Sequence, residues 1–327
     1  MYKGRAAIAA VVFSVVALVH GGEIRAQTDY PNKPVKVVMP FPPGGAPDMV
    51  GRLLSQRLSE RLGQQFVLEN RVGAGGNIGV EFVAKSAPDG YTLLATADYP
   101  LVINPTVYPK LPFNPVRDFS PIVIAASDGF VMMGCPTIPT SSVPDLLALA
   151  RSRPGQLNYA SSGYGSNHHL AGEMLKYMAG INIVHVPYKG FGLSVIDAMS
   201  CKVELVFGSI SASLPHIKGG KLKALAVTTA SRHPALPGTP TFIESGFPGF
   251  EVEFYVGLLA PAGTPKTIID RLYTEVAGIL KEKATIERLS TAGLAIVPGT
   301  PKEFAARIAA DLAKYAKVAK AVGLRVD

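Results

Sequence analysis

The chain runs to 327 residues, more than a single hydrophobic core usually holds, so two domains are expected. With 48% hydrophobic and 17% charged residues it reads as a globular sequence, which excludes a disordered or low-complexity polymer. The formal charge of +8 becomes +6 once Lys3, Arg5, Arg25 and Glu23 are set aside (29 basic against 23 acidic residues); without a basic run this favours encounter with anions and argues against nucleic acid.

Residues 1–26 read as a secretory signal, with a basic start at Lys3 and Arg5, an apolar run over 6–19 and a small residue, Ala26, at the cleavage point before Gln27. The run is short for a bilayer span, although an uncleaved anchor is the alternative. The mature protein is expected to be exported.

Residues 35–39 form a short apolar run that predicts a buried strand. Pro40-Phe41-Pro42-Pro43-Gly44-Gly45 breaks it, and Met49, Val50, Leu53, Leu54, Leu58 and Leu62 then mark a helix stripe. A strand, a rigid loop and a helix start present free backbone N–H groups and the positive end of the helix dipole, an anion site built without Lys or Arg. The plainer alternative is a tight turn. Asp48 fits equally as a helix-start residue or as a contact to a ligand hydroxyl or amino group.

A second strand is predicted over 65–70, followed by the glycine loop 71–79 and a helix over 80–86. The loop's spacing, Gly-x-Gly-Gly-x-x-Gly, misses the dinucleotide fingerprint, whose third glycine would fall on Ile78. It reads instead as a loop that lets backbone approach a ligand or the neighbouring loop. Residues 91–96 predict a third strand, whose end, Thr96-Ala97-Asp98, opens at the same carboxyl edge as the first loop, the edge where open α/β sheets bind ligands. Residues 104–115 read as irregular.

A strand over 119–126 is expected to leave the first domain, and a separate apolar segment over 129–135 to start the second. The strand at 157–160 repeats the opening logic: Ser161-Ser162-Gly163-Tyr164-Gly165-Ser166 leads into a helix over 168–178. Its hydroxyls suit a carboxylate or an amide, with Ser166 alternatively a helix cap. Further βα units follow through a strand at 183–187, the loop 188–192, a helix at 193–199, a strand at 203–207 ending in Gly208-Ser209, and a strand at 223–228. The alternation predicts mostly parallel sheets. An extended run over 250–260 precedes a helix over 268–281, with Thr264 as cap and Pro265 at its first position. Helices at 283–291 and 301–321 flank a short strand at 295–297.

No Gly-x-Ser-x-Gly elbow exists, and a triad from the serine loop with His168 or His169 needs a geometry that spacing alone does not supply. His185 and His216 read as isolated structural residues. The histidines show no metal-ligand spacing, and Cys135 and Cys201 read as small core or turn residues whose spacing demands no disulfide. Polar, glycine-bearing loops at strand ends without a catalytic set favour binding without chemistry, with neither cofactor nor metal.

Several stretches then converge on one family. They are Pro40 to Gly45 with Asp48, the Glu69-Asn70-Arg71-Val72-Gly73-Ala74-Gly75-Gly76-Asn77-Ile78-Gly79 run, Pro88-Asp89-Gly90-Tyr91-Thr92, Leu157-Asn158-Tyr159-Ala160-Ser161-Ser162-Gly163-Tyr164-Gly165-Ser166, His185-Val186-Pro187-Tyr188-Lys189-Gly190 and Gly220-Lys221-Leu222-Lys223-Ala224-Leu225-Ala226-Val227-Thr228. Together they resemble the Bug family, the substrate receptors of tripartite tricarboxylate transporters. The resemblance implies a type II periplasmic binding-protein fold, with two α/β domains and a ligand cleft between them. Behind a signal peptide over 1–26, domain 1 would comprise 27–125 and 252–327 and domain 2 would comprise 126–251. It implies a small organic carboxylate held by backbone groups, hydroxyls and waters. Candidate ligand-binding residues are Phe41, Gly44, Gly45 and Asp48; Thr96 and Ala97 by position; Ser161, Ser162, Gly165 and Ser166; and Lys189, Gly190 and Ser209. The implied setting is a periplasmic monomer that delivers its ligand to the permease subunits of a tripartite transporter. The chain departs from the family pattern at Phe191-Gly192-Leu193, at Gly208-Ser209, and at Tyr255, where a Trp is common. An exported serine hydrolase and a ligand-presenting sensor subunit are the alternatives.

Overall fold

The computed structural model describes residues 30–325; the signal sequence and its cleavage point lie outside them. Strand β1 (Val35–Met39) is buried along nearly its whole length, as its apolar run requires. It ends at the proline loop, and α1 (Ala46–Leu62) follows, closed by Gly63 in the left-handed conformation with its N–H on the Ser59 carbonyl. Next come β2 (Phe66–Asn70), α2 (Asn77–Ala84) and β3 (Thr92–Ala97), with β1 pairing in parallel to both strands. The segment read as irregular contains two single-turn helices, α3 (Tyr99–Val102) and α4 (Asn104–Val107), each with proline in its first turn.

The largest difference from expectation is β4 (Phe119–Gly134), one continuous strand where two were predicted. Asp128-Gly129 looks like punctuation in the sequence. The strand nevertheless continues because β9 (Glu253–Pro261) pairs antiparallel with it from Phe119↔Pro261 to Gly129↔Glu253, with bulges between Pro121 and Val123 and between Ile124 and Ala126. The polar side chain of Asp128 is accommodated by accepting the Ser211 N–H at 2.9 Å.

The remaining elements are α5 (Val143–Ser152), β5 (Asn158–Ser161), α6 (Asn167–Ala179), β6 (Val184–Pro187), α7 (Phe191–Met199), β7 (Leu205–Ser209), α8 (Ile210–Lys218), β8 (Lys223–Val227), α9 (Lys266–Ile279), α10 (Lys283–Thr291), β10 (Ala295–Gly299) and α11 (Pro301–Ala321). The strand order is β2-β1-β3-β9-β4-β7-β5-β6, with β8 and β10 also on β4. One half of β4 lies between β9 and β10, and the other between β7 and β8. The strand thus belongs to two α/β lobes at once, the two-domain arrangement expected from the sequence. The βα units are parallel as expected, but every pairing made by β4 and β9 is antiparallel, because these strands cross between lobes instead of closing a βα unit.

Two local readings are corrected. Pro265, not Thr264, is the residue preceding α9, and the Thr264 hydroxyl donates instead to the Pro261 carbonyl. Cys135 and Cys201 are not separate core residues but form a disulfide, tying the end of β4 to the turn after α7. The pairing is made in space across 66 residues of sequence, which is why spacing could not reveal it. Reduction, or the double replacement Cys135→Ser/Cys201→Ser, is expected to cost about 4 kcal/mol of stability on the chain-entropy scale for a loop of this size, read as a lower denaturant midpoint.

Candidate functional site

The first loop is braced from behind. Asp48 is buried and accepts from the Gly44 N–H (3.2 Å), Arg52 Nε (2.9 Å) and Asn70 Nδ2 (2.9 Å), while Asn70 Nδ2 also donates to the Phe41 carbonyl at 2.8 Å. Burial opposes its charge, but the bonds from Arg52, Asn70 and Gly44 outweigh that and hold the carboxyl below its ordinary range. Gly44 takes up the positive φ of the turn (+95°), whereas Gly45 is extended and leads into α1 without a side-chain cap. The N–H groups of Gly45 and Ala46 therefore have no partner among the described residues.

The serine loop closes on itself. Ser166 is the N-cap of α6: its Oγ accepts from the His169 N–H at 3.2 Å and donates to the Gly163 carbonyl at 2.7 Å. Ser161 is fully buried, with its Oγ 2.7 Å from His185 Nε2. His185, read as isolated, instead stacks on His169 with ring centroids 3.8 Å apart, with Tyr164 edge-on to both. Burial keeps both imidazoles neutral, bringing His169 down to about 4 and His185 to about 3.

Between the lobes lies a cavity of about 90 Å³, lined among others by Phe41, Pro42, Gly45, Ala97, Tyr99, Ser162, Asn167, Gly190 and Ser209. Among the helices that begin on it are α1 at Gly45-Ala46, α6 at Asn167-His168, and α7 at Phe191-Gly192, where Gly190 supplies no side-chain cap. First-turn N–H groups have no acceptor within their own helix, so three partial positive charges are aimed into one space. Among the described residues, no Arg, Lys, Asp or Glu lines it. The lobes touch around its rim. Asn167 Nδ2 donates to Asp98 Oδ1 at 2.9 Å, and a Cβ built on Gly190 would lie 2.5 Å from Pro42 Cγ. Asp98 is fully buried with Oδ2 unpartnered; burial pushes its carboxyl up to about 8, against the Asn167 bond, which favours the charged form.

The sequence profile of the tripartite tricarboxylate transporter family receptor matches residues 50–324. The protein belongs to this receptor family. It is 34% identical over 298 residues to the BugT protein of Bordetella pertussis, covering 91% of each chain. Among solved structures, Rpa4515 of R. palustris, determined with adipate, is 38% identical, with a TM-score of 0.88 and coverage of 90% of this chain and 99% of that one. MatC of Rhodopseudomonas palustris, determined with malate, is 29% identical, with a TM-score of 0.84 and coverage of 88% and 99%. Its relatives are solute receptors, and the receptor is not an enzyme. Ser161 and His185 are not among the cavity-lining residues, and the Ser161 hydroxyl donates to the Gly163 carbonyl.

Of the residues the sequence singled out, the receptor brings Phe41, Gly45, Ala97, Ser162, Gly190 and Ser209 onto the cavity lining. Gly44, Asp48, Ser161, Gly165 and Ser166 stand behind it as loop structure, and the Thr96 hydroxyl is buried on the Ala97 carbonyl. Lys189 is exposed and outside the lining. Sequence reasoning missed Tyr99, Phe130, Asn167, His168 and Phe254. Asn167 and His168 could have been found: with Ser166 as N-cap they are the first two helical residues, whose N–H groups are free by rule. Phe130 and Phe254 carried no such signal.

Proposed function

We propose that the protein is an exported, periplasmic receptor that captures a small organic carboxylate in this cavity and delivers it to the permease subunits of a tripartite tricarboxylate-type transporter. The observation that carries the reading is the convergence of three helix starts, those of α1 and α7 without any side-chain cap, on a cavity whose lining among the described residues carries no Arg, Lys, Asp or Glu. Such a site neutralises one anion through backbone N–H groups and needs no cation. The adipate and malate held by the two solved relatives support the same ligand chemistry. In this reading the domains are 27–125 with 252–327 and 126–251, they hinge on β4 and β9, and the receptor acts as a monomer after cleavage near Ala26.

Calorimetry on benzoate, adipate and malate, each beside its uncharged amide, tests the site. Hydrogen bonds to a charged acceptor are each worth about 1.5–3 kcal/mol against about 1 for a neutral one. At least one acid is therefore expected to bind at least about tenfold tighter than its amide. Equal binding of acids and amides would refute the anion site.

A further inference from the structure

The composition of the cavity wall goes further than its anion end. Phe41 and Tyr99 form one aromatic face, their ring centroids 5.1 Å apart and tilted by 34°. Phe130 and Phe254, on the two crossover strands, form another at 5.2 Å and 34°. His168 stands edge-on to Phe130 at 4.8 Å, and Phe191 lies 6.1 Å from His168. All six line the same cavity. Phe191 packs against Gly208, whose missing side chain leaves room for the ring edge.

We propose that the receptor selects a monocarboxylic acid carrying an aromatic ring over aliphatic di- and tricarboxylic acids. The proposal rests on the carboxylate reading above and names the ligand class for that same site. Aromatic rings pack best against other aromatic rings in offset or edge-on contact, which these two faces and the His168 edge offer.

A second carboxylate finds no counterpart. Among the described residues no Lys or Arg lines the cavity, and Lys189, next to the lining residue Gly190, is exposed. Asp98 lies between the lining residues Ala97 and Tyr99, and Asp128 lies two residues before Phe130; each keeps one carboxyl oxygen without a partner. Arg307 is engaged with Asp311 at 2.6 Å. A second anion against the phenylalanines would be desolvated without compensation, and these carboxyls would repel it whenever ionised.

The test is competitive calorimetry of the mature protein with benzoate and phenylacetate against adipate and malate, on wild type, Phe191→Ala and Phe191→Leu. An aromatic monoacid is expected to bind at least tenfold tighter than either diacid. Phe191→Ala is expected to weaken that acid at least tenfold. Phe191→Leu keeps most of the volume without the ring, so a loss there reports the ring itself if the alanine variant fails to fold. Tighter binding of adipate or malate, or affinities within threefold of each other, overturns the proposal while leaving the carboxylate reading intact. Binding of benzamide, titrated alongside, but of none of the four acids overturns both.

Discussion

Replacing Gly190 by valine is expected to weaken ligand binding at least about a hundredfold while leaving both lobes folded. Gly190 sits at φ 114° and ψ 163°, immediately before α7. That combination is essentially restricted to glycine and costs a side-chain-bearing residue about 1–3 kcal/mol. A Cβ there would also lie 2.5 Å from Pro42 Cγ on the opposite lobe, and a proline ring cannot swing away as a flexible side chain would. Strain within the loop is relieved if it rearranges, and the collision is relieved if the lobes separate. Either response takes Phe191 and the α7 N–H groups away from Phe41 and the α1 N–H groups. Because each 1.4 kcal/mol is tenfold in affinity, the strain alone accounts for one to two decades. Calorimetry with whichever of benzoate, adipate or malate titrates the wild type reads the loss. Small-angle scattering is expected to show contraction of the wild type on ligand addition and none for the variant. Normal affinity with normal contraction would mean that the closed lobes do not meet at Pro42 and Gly190.

What the sequence reveals here divides along physical lines. Strand β1, the proline loop and α1 are legible because apolar period, breakers and left-handed glycine are local properties of neighbouring residues. The loop leading into α1 was legible for the same reason and suggested a backbone anion site, whereas the starts of α6 and α7 lie one and two residues earlier than the sequence pattern placed them. Which hydroxyl faces the cavity was not legible. Ser161, Ser162 and Ser166 look equivalent in the chain, yet Ser161 turns to His185 and Ser166 to its own helix, leaving Ser162 on the lining. Gly44 and Gly45 are similarly alike in sequence, yet Gly44 takes the positive φ and bonds Asp48 through its N–H, while Gly45 is extended. The aromatic floor was hidden most deeply. Phe130 and Phe254 are apolar residues in apolar strands, and their facing is set by pairings such as Asp128↔Phe254 and Phe130↔Ser209, which join segments of the chain 79 to 126 residues apart.

Asp98→Asn is expected to become progressively more stable than the wild type as pH rises from 4 to 8, with a constant gap above that. Asp98 lies fully buried where the lobes meet, one oxygen on Asn167 and the other unpartnered. Burial pushes its carboxyl from the ordinary 3.8 up to about 8; Asp311 raises it further, and Arg307 together with the Asn167 bond opposes the rise. A group whose pKa is higher folded than unfolded stabilises the fold fully below the unfolded value, and that contribution is lost as pH climbs through the folded value. Across this window the folded wild type holds a proton that the unfolded chain has released, so its stability falls by up to about tenfold in the folding equilibrium per pH unit. Asparagine keeps the shape and can still accept from the Asn167 amide, but it has no proton to lose. Asp128, raised to about 7 by burial, and His168, lowered to about 3 by burial, are present in both proteins, so their titrations cancel in the difference. Denaturant midpoints of the two proteins at pH 5, 7 and 9 measure the gap. A difference flat in pH would show that Asp98 is hydrated in the folded protein, and that the lobes in solution do not close over it through Asn167. A widening gap would instead place a neutral carboxylic acid at the junction of the lobes, behind a cavity whose own lining carries no formal charge.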